Sequence, residues 1–116
     1  MVVADDVRRV ALSLPRSYEA LVRDRVKYRV GRIVYLSIAP DEASMGFAFP
    51  KHERAAFIAR EPDKFFMPVR SDERYNWMQV WLARIDEIEM RELVIDAWRM
   101  AVPKGLATQF DNGLTP

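Results

Sequence analysis

A chain of 116 residues is of single-domain size, and with half its residues hydrophobic and 30% charged it can bury a core without metal or disulfide staples. It contains no cysteine, which excludes disulfides, thiol catalysis and zinc–thiolate sites, and its net charge of +1 selects neither for nor against a polyanionic partner. The N-terminus lacks the basic-then-apolar layout of a signal peptide and no apolar run nears bilayer-spanning length, so a cytoplasmic protein with no membrane partner is expected.

Asp5 or Asp6 can cap a first helix, in which Val7, Val10, Ala11 and Leu14 recur as one apolar stripe before Pro15 ends it. Residues 16–25 read as an irregular lead-in, with Tyr18, Leu21 and Val22 available for packing. Residues 26–49 then organise the chain as three consecutive strands. Residues 27–30 alternate Lys27 and Arg29 with Tyr28 and Val30, which predicts the two cations in solvent. Gly31-Arg32 suits a two-residue hairpin loop whose first position needs positive φ. Residues 33–38 are β-branched and aromatic, as a central strand requires. The turn at 40–43 uses Pro40 to preset one dihedral and Asp41 to bond its own backbone. Residues 44–49 set Met45, Phe47 and Phe49 against Ser44, Gly46 and Ala48. Two registers remain open for the first hairpin. A two-residue loop pairs Val30 with Ile33 and puts Tyr28 and Tyr35 on one face. A three-residue loop with a bulge puts Val30 beside Val34, with Leu36 and Ile38 on that face.

After Pro50, residues 52–60 predict a short helix with Ala55, Ala56 and Ala59 inward and Phe57 or Ile58 at the margin, stopped at Glu61-Pro62-Asp63. Residues 65–69 predict a fourth strand, which Pro68 assigns to an edge. A polar loop at 71–74 leads to a fifth strand over 77–85. Asp86, with Glu89 three residues on, caps a last helix over 87–102. Its stripe is Met90, Leu93, Val94, Ala97 and Ala101, with Trp98 beside it. Residues 106–116 are expected to form a loosely held tail behind a domain spanning 1–105. Helices at the ends and strands together specify an α+β two-layer sandwich: an antiparallel sheet of about five strands with the N- and C-terminal helices on one face and the other face free.

Chemistry is read mostly by exclusion. His52 is the sole histidine and sits near a helix start, where a capping or surface role is the plain reading. The carboxylate pairs (Asp5/Asp6, Asp41/Glu42, Asp72/Glu73, Asp86/Glu89) occupy helix starts and turns, and none converges on a second cluster. The four glycines form no phosphate-cradling loop. No catalytic residue, metal site or cofactor is predicted, and the chain is not expected to be an enzyme. Charge is unevenly placed: residues 1–60 carry a surplus of four positive charges and residues 61–116 a surplus of three negative ones. Arg23, Arg25, Lys27, Arg29 and Arg32 are interrupted by one acid, Asp24. Such a cluster attracts phosphate; its plainer role is a solvated strand face that discourages edge pairing.

Several local patterns fall in one order: Val10-Ala11-Leu12-Ser13-Leu14-Pro15 ending the first helix, Tyr28-Arg29-Val30-Gly31-Arg32-Ile33 in the first hairpin, Pro50-Lys51-His52-Glu53-Arg54-Ala55-Ala56 opening the short helix, Asn76-Trp77 before the long strand, and the capped final helix. Together they resemble the MmcQ/YjbR family of small bacterial proteins with a frataxin-like (CyaY-like) fold, over roughly residues 4–105. The resemblance implies DNA binding through a sheet-and-wing surface and brings no agreed catalytic residues. Two departures stand out. Family members often have His-Pro before the first strand, where this chain has Asp24-Arg25-Val26-Lys27. They also tend to have a histidine before the long strand, where it has Arg74-Tyr75-Asn76-Trp77. Frataxin-type iron binding, which looks to an acidic ridge on the first helix, is not implied, because Arg8 and Arg9 dilute Asp5 and Asp6.

Two functional readings follow. In the first, Arg23, Arg25, Lys27, Arg29 and Arg32 contact DNA phosphate, helped by Lys51 and Arg54. In the second, Trp77, Trp81 and Tyr35 line the open sheet face of a protein-interaction or small-ligand module, with a homodimer through that face or an edge strand as a variant. Aromatics there can also stack on bases, although core packing is their commoner use.

Overall fold

The structure is a computed structural model that describes residues 1–111. Six strands form one antiparallel sheet in the order β1 (Ser17–Val22), β2 (Arg25–Val30), β3 (Ile33–Ile38), β4 (Ser44–Ala48), β6 (Trp77–Trp81), β5 (Phe65–Phe66). Four helices accompany it: α1 (Ala4–Ser13), α2 (Lys51–Arg60), α3 (Glu87–Arg99) and α4 (Lys104–Asp111). The α+β class stands, with one strand more than the sequence predicts.

The added strand is β1, in the segment read as irregular. Its pattern is inverted: Glu19 points to the helix side, where its carboxylate accepts from Arg8 Nε at 2.9 Å and from Tyr28 Oη at 3.0 Å. Tyr18, Ala20 and Val22 point the other way. The β1–β2 loop is Arg23-Asp24, both residues at positive φ (50° and 65°), so a tight hairpin is built without the glycine or asparagine that signals one. Gly31 does take positive φ (58°), as its turn predicts.

The β2–β3 register combines features of both readings. Val30 pairs with Ile33 across the two-residue loop, and a bulge then slips the ladder between Tyr28 and Arg29, so that Tyr28 opposes Leu36 while Arg29 opposes Val34. Tyr35 is the extra residue. The bulge lets Tyr28, Tyr35, Leu36 and Ile38 all bury in the core. Tyr35 is fully enclosed and hydrogen-bonded to Ser17, so it lines no open-face surface, contrary to the second functional reading.

The α1 stripe buries as predicted, as do Met90, Val94, Ala97 and Ala101 of the last helical region, with Leu93 half-buried. Trp98 goes beyond its expected place beside the stripe: it is wholly buried and donates Nε1–H to the Pro15 carbonyl at 2.9 Å, tying α3 to the end of α1. Asp86 accepts from the Glu89 amide at 2.8 Å as a cap. At α1 the N-cap is Val3, and Asp6, three residues on, reaches back to accept from the Val3 amide at 3.0 Å.

Three expectations are corrected. In α2 the three alanines are exposed, and Arg54, Phe57 and Ile58 turn inward. The strand predicted over 77–85 stops at Trp81, where a 3-10 turn, Leu82–Arg84, folds it toward α3. Residues 104–111 form α4 instead of a loose tail, seating Phe110 against Trp98 with centroids 5.0 Å apart; the rest of that predicted tail lies outside the described residues.

Candidate nucleic-acid interface

The two faces of the sheet differ sharply. Tyr28, Leu36, Ile38, Met45, Phe47, Met78, Val80 and Phe65 make the core beneath α1 and α3. The alternate residues form the opposite face. One row crosses all six strands on that side: Ala20, Lys27, Ser37, Gly46, Gln79, Phe66. Flanking rows pair Val22 with Arg25, Tyr18 with Arg29 and Val34, Ser44 with Trp81, and Ala48 with Trp77.

This face therefore has two unlike halves. On β2 stand Arg25, Lys27 and Arg29, every second residue and so about 7 Å apart along the strand. Arg23 and Arg32 occupy the hairpin loops at opposite ends of β2, about 20 Å from each other. Among the described residues none of these five cations meets a carboxylate within ion-pair distance, and Lys51 and Arg54 meet none either. Arg25 reaches inward, its Nη1 3.5 Å from Ser37 Oγ. Lys27 and Arg29 are half-buried where the alternation predicts them in solvent, and the Arg29 Nε is enclosed without an acceptor, because their long stems lie along the sheet face.

The other half is aromatic. Phe66 and Trp81 stack with centroids 4.4 Å apart and planes inclined by 21°, and Trp81 remains 41% exposed. Trp77 folds inward over β4: a Cβ at Gly46 would lie 2.9 Å from its Cε2 and Cζ2, so only glycine admits the indole there. Between the halves the floor is made of small residues, Ser37, Ser44 and Gly46, each buried beneath its longer neighbours.

At one end of this face a cleft of about 440 Å³ opens between Lys27, Val34 and Trp77 on the sheet, Asp72, Tyr75 and Asn76 in the preceding loop, and Met100 behind α3.

The other two candidate cations are placed differently. Lys51 is exposed at the start of α2, its Nζ donating to the Arg74 carbonyl at 3.0 Å and its backbone N–H to Asn76 Oδ1 at 3.0 Å. Arg54 is a correction. It is only 7% exposed, and its guanidinium donates to the carbonyls of Tyr75 and Trp77 at 3.0 Å each and to that of Glu73. That arginine is spent on fixing the 73–77 loop and has no hand free for phosphate.

Burial, followed by the Glu19 hydrogen bond, holds the Tyr28 phenol far above its ordinary range, and burial pushes Tyr35 up to about 12. These are structural phenols beneath β1 and β2. Among the described residues no three of His, Cys, Asp and Glu gather as metal ligands, and no helix is long and apolar enough to cross a membrane.

The family model described as YjbR matches residues 12–100. In three dimensions the chain is similar to the crystal structure of Deinococcus radiodurans protein DR2400, which carries the family-model domain DUF419. The TM-score is 0.77 at 19% identity, over 100% of this chain and 91% of that one, a likeness of fold. No functionally curated protein matches significantly.

Proposed function

The chain belongs to the YjbR family, and on that premise we propose that it is a non-catalytic DNA-binding protein that contacts phosphate through the basic side of its uncovered sheet face. The observation that carries this reading is the row Arg23, Arg25, Lys27, Arg29 and Arg32, which follows one strand without a carboxylate partner among the described residues. Five like charges along some 20 Å repel one another, and an anionic backbone relieves that repulsion. Lys51, exposed at the start of α2, is a further cation open to the same partner. The family resemblance implies the same partner.

Titration with a labelled oligonucleotide at low and moderate salt tests this. Five phosphate contacts give a slope of log K against log salt of about −4, so affinity falls by roughly two to three orders of magnitude between 50 and 200 mM salt. Absence of binding at the lower salt contradicts the proposal.

The cleft beside Trp77 supports a second reading, a small-ligand or protein-interaction module, because it combines an indole, a phenol and Lys27 in one hollow. Sedimentation over a concentration range separates its self-association version: a single monomeric species counts against it.

A further inference from the structure

The proposed function leaves the aromatic half of the sheet face without work. Trp81 and Phe66 form a stacked pair on the same face as the basic strand, and Trp81 is 41% exposed. From the disposition of these two halves we infer that the polynucleotide bound is single-stranded: its phosphates follow β2, and its bases lie across the sheet toward Trp81. This inference rests on the reading of the face as a nucleic-acid surface and narrows it to one class of ligand.

The geometry argues the point. Arg25 lies over Ser37, which brings its charge from β2 to β3. From β3 to β6 there are two strand spacings, about 10 Å. A nucleotide spans such a gap from phosphate to base only when the base is turned outward. In a duplex the bases are paired and stacked inside, so a flat protein face meets sugar and phosphate on both of its sides. Trp81 and Phe66 would then confront a charged backbone that offers them nothing to stack on. Between the two halves lie the short side chains Ser37 and Ser44, with the Trp77 indole packed over Gly46. A positive groove beside exposed aromatics is how unpaired strands are held without sequence readout, each base presenting a ring face to stack. Phosphate contact and ring stacking are open to either sugar, so deoxy- and ribo-oligomers share the recognised chemistry.

Fluorescence anisotropy of the full chain with oligo(dU), oligo(U) and a mixed-sequence duplex of equal length decides this, with W81A and W81F as variants. The expected result is binding of both single strands at least about tenfold more tightly than the duplex. W81A loses roughly tenfold or more on single strands and little on the duplex, while W81F, which keeps a ring, recovers most of the loss. Preference for one single strand keeps the inference and names the sugar. Equal affinity for duplex and single strands, both falling with salt, overturns the single-strand inference and leaves the nucleic-acid reading standing. Failure to bind any of the three overturns both. W81A and W81F bearing identical losses on every ligand also overturns it, because stacking would then play no part.

Discussion

Arg54 shows why a basic residue in a promising position is not a phosphate contact. Its guanidinium closes on three carbonyls of the loop that launches β6, and burial leaves no water to replace them. Arg54→Met is expected to lower stability by about 2–4 kcal/mol, since several buried acceptors lose their donor at once. Urea denaturation reads this directly; an unchanged midpoint would show the guanidinium to be dispensable. Gly46 carries an equally local constraint. Gly46→Ala drives a methyl group into the Trp77 indole and should cost about 1–3 kcal/mol, with a shift in tryptophan emission as the ring is displaced. Trp98, packed against Phe110, and Trp81, stacked on Phe66, emit as a constant background, so the shift reports Trp77.

At the scale of elements, the edge strand β1 depends on two phenols. Tyr35 bonds Ser17 and Tyr28 bonds Glu19, so both link β1 to the core. On unfolding these phenols ionise near their ordinary value of 10.0, but in the fold Tyr35 is pushed up to about 12 and Tyr28 is held higher still. Above pH 10 the native state therefore keeps protons that the unfolded chain has released. The stability they contribute is intact below pH 10 and drains away above it, by about 1.4 kcal/mol per pH unit for each phenol. Denaturation midpoints at pH 9, 10 and 11 should fall accordingly, and Tyr35→Phe should flatten part of the decline. The β1–β2 loop is a second weak point: Asp24→Gly removes one left-handed non-glycine residue and should stabilise by about 0.5–1 kcal/mol. These same elements mark what the sequence conceals. The stripes of α1 and α3, the Gly31 turn and the three central strands follow from period and turn chemistry alone. β1 does not, because its acid faces inward to meet Arg8 and Tyr28, and its turn is made by Arg-Asp. Neither does the bulge at Tyr35, which reconciles two registers that period-two reasoning treats as exclusive. The basic row was legible on β2 because strand alternation places it; the burial of Arg54 was not, since its acceptors lie some twenty residues on.

Across the whole molecule, the helices and the core account for one side of the sheet and leave the other to side chains alone. That side is polarised, with cations at β2 and rings at β5 and β6, and the polarity arises from the strand order, which separates the two groups by β3 and β4. The most direct measurement of its purpose is the salt dependence of oligonucleotide binding in the wild type and in the triple variant R25Q/K27Q/R29Q. Removing three phosphate contacts should make the slope of log K against log salt shallower by about 2–3 and weaken binding at low salt, with the denaturation midpoint nearly unchanged. A variant that binds as the wild type does, with the same slope, would show that this row of cations is ordinary solvated surface.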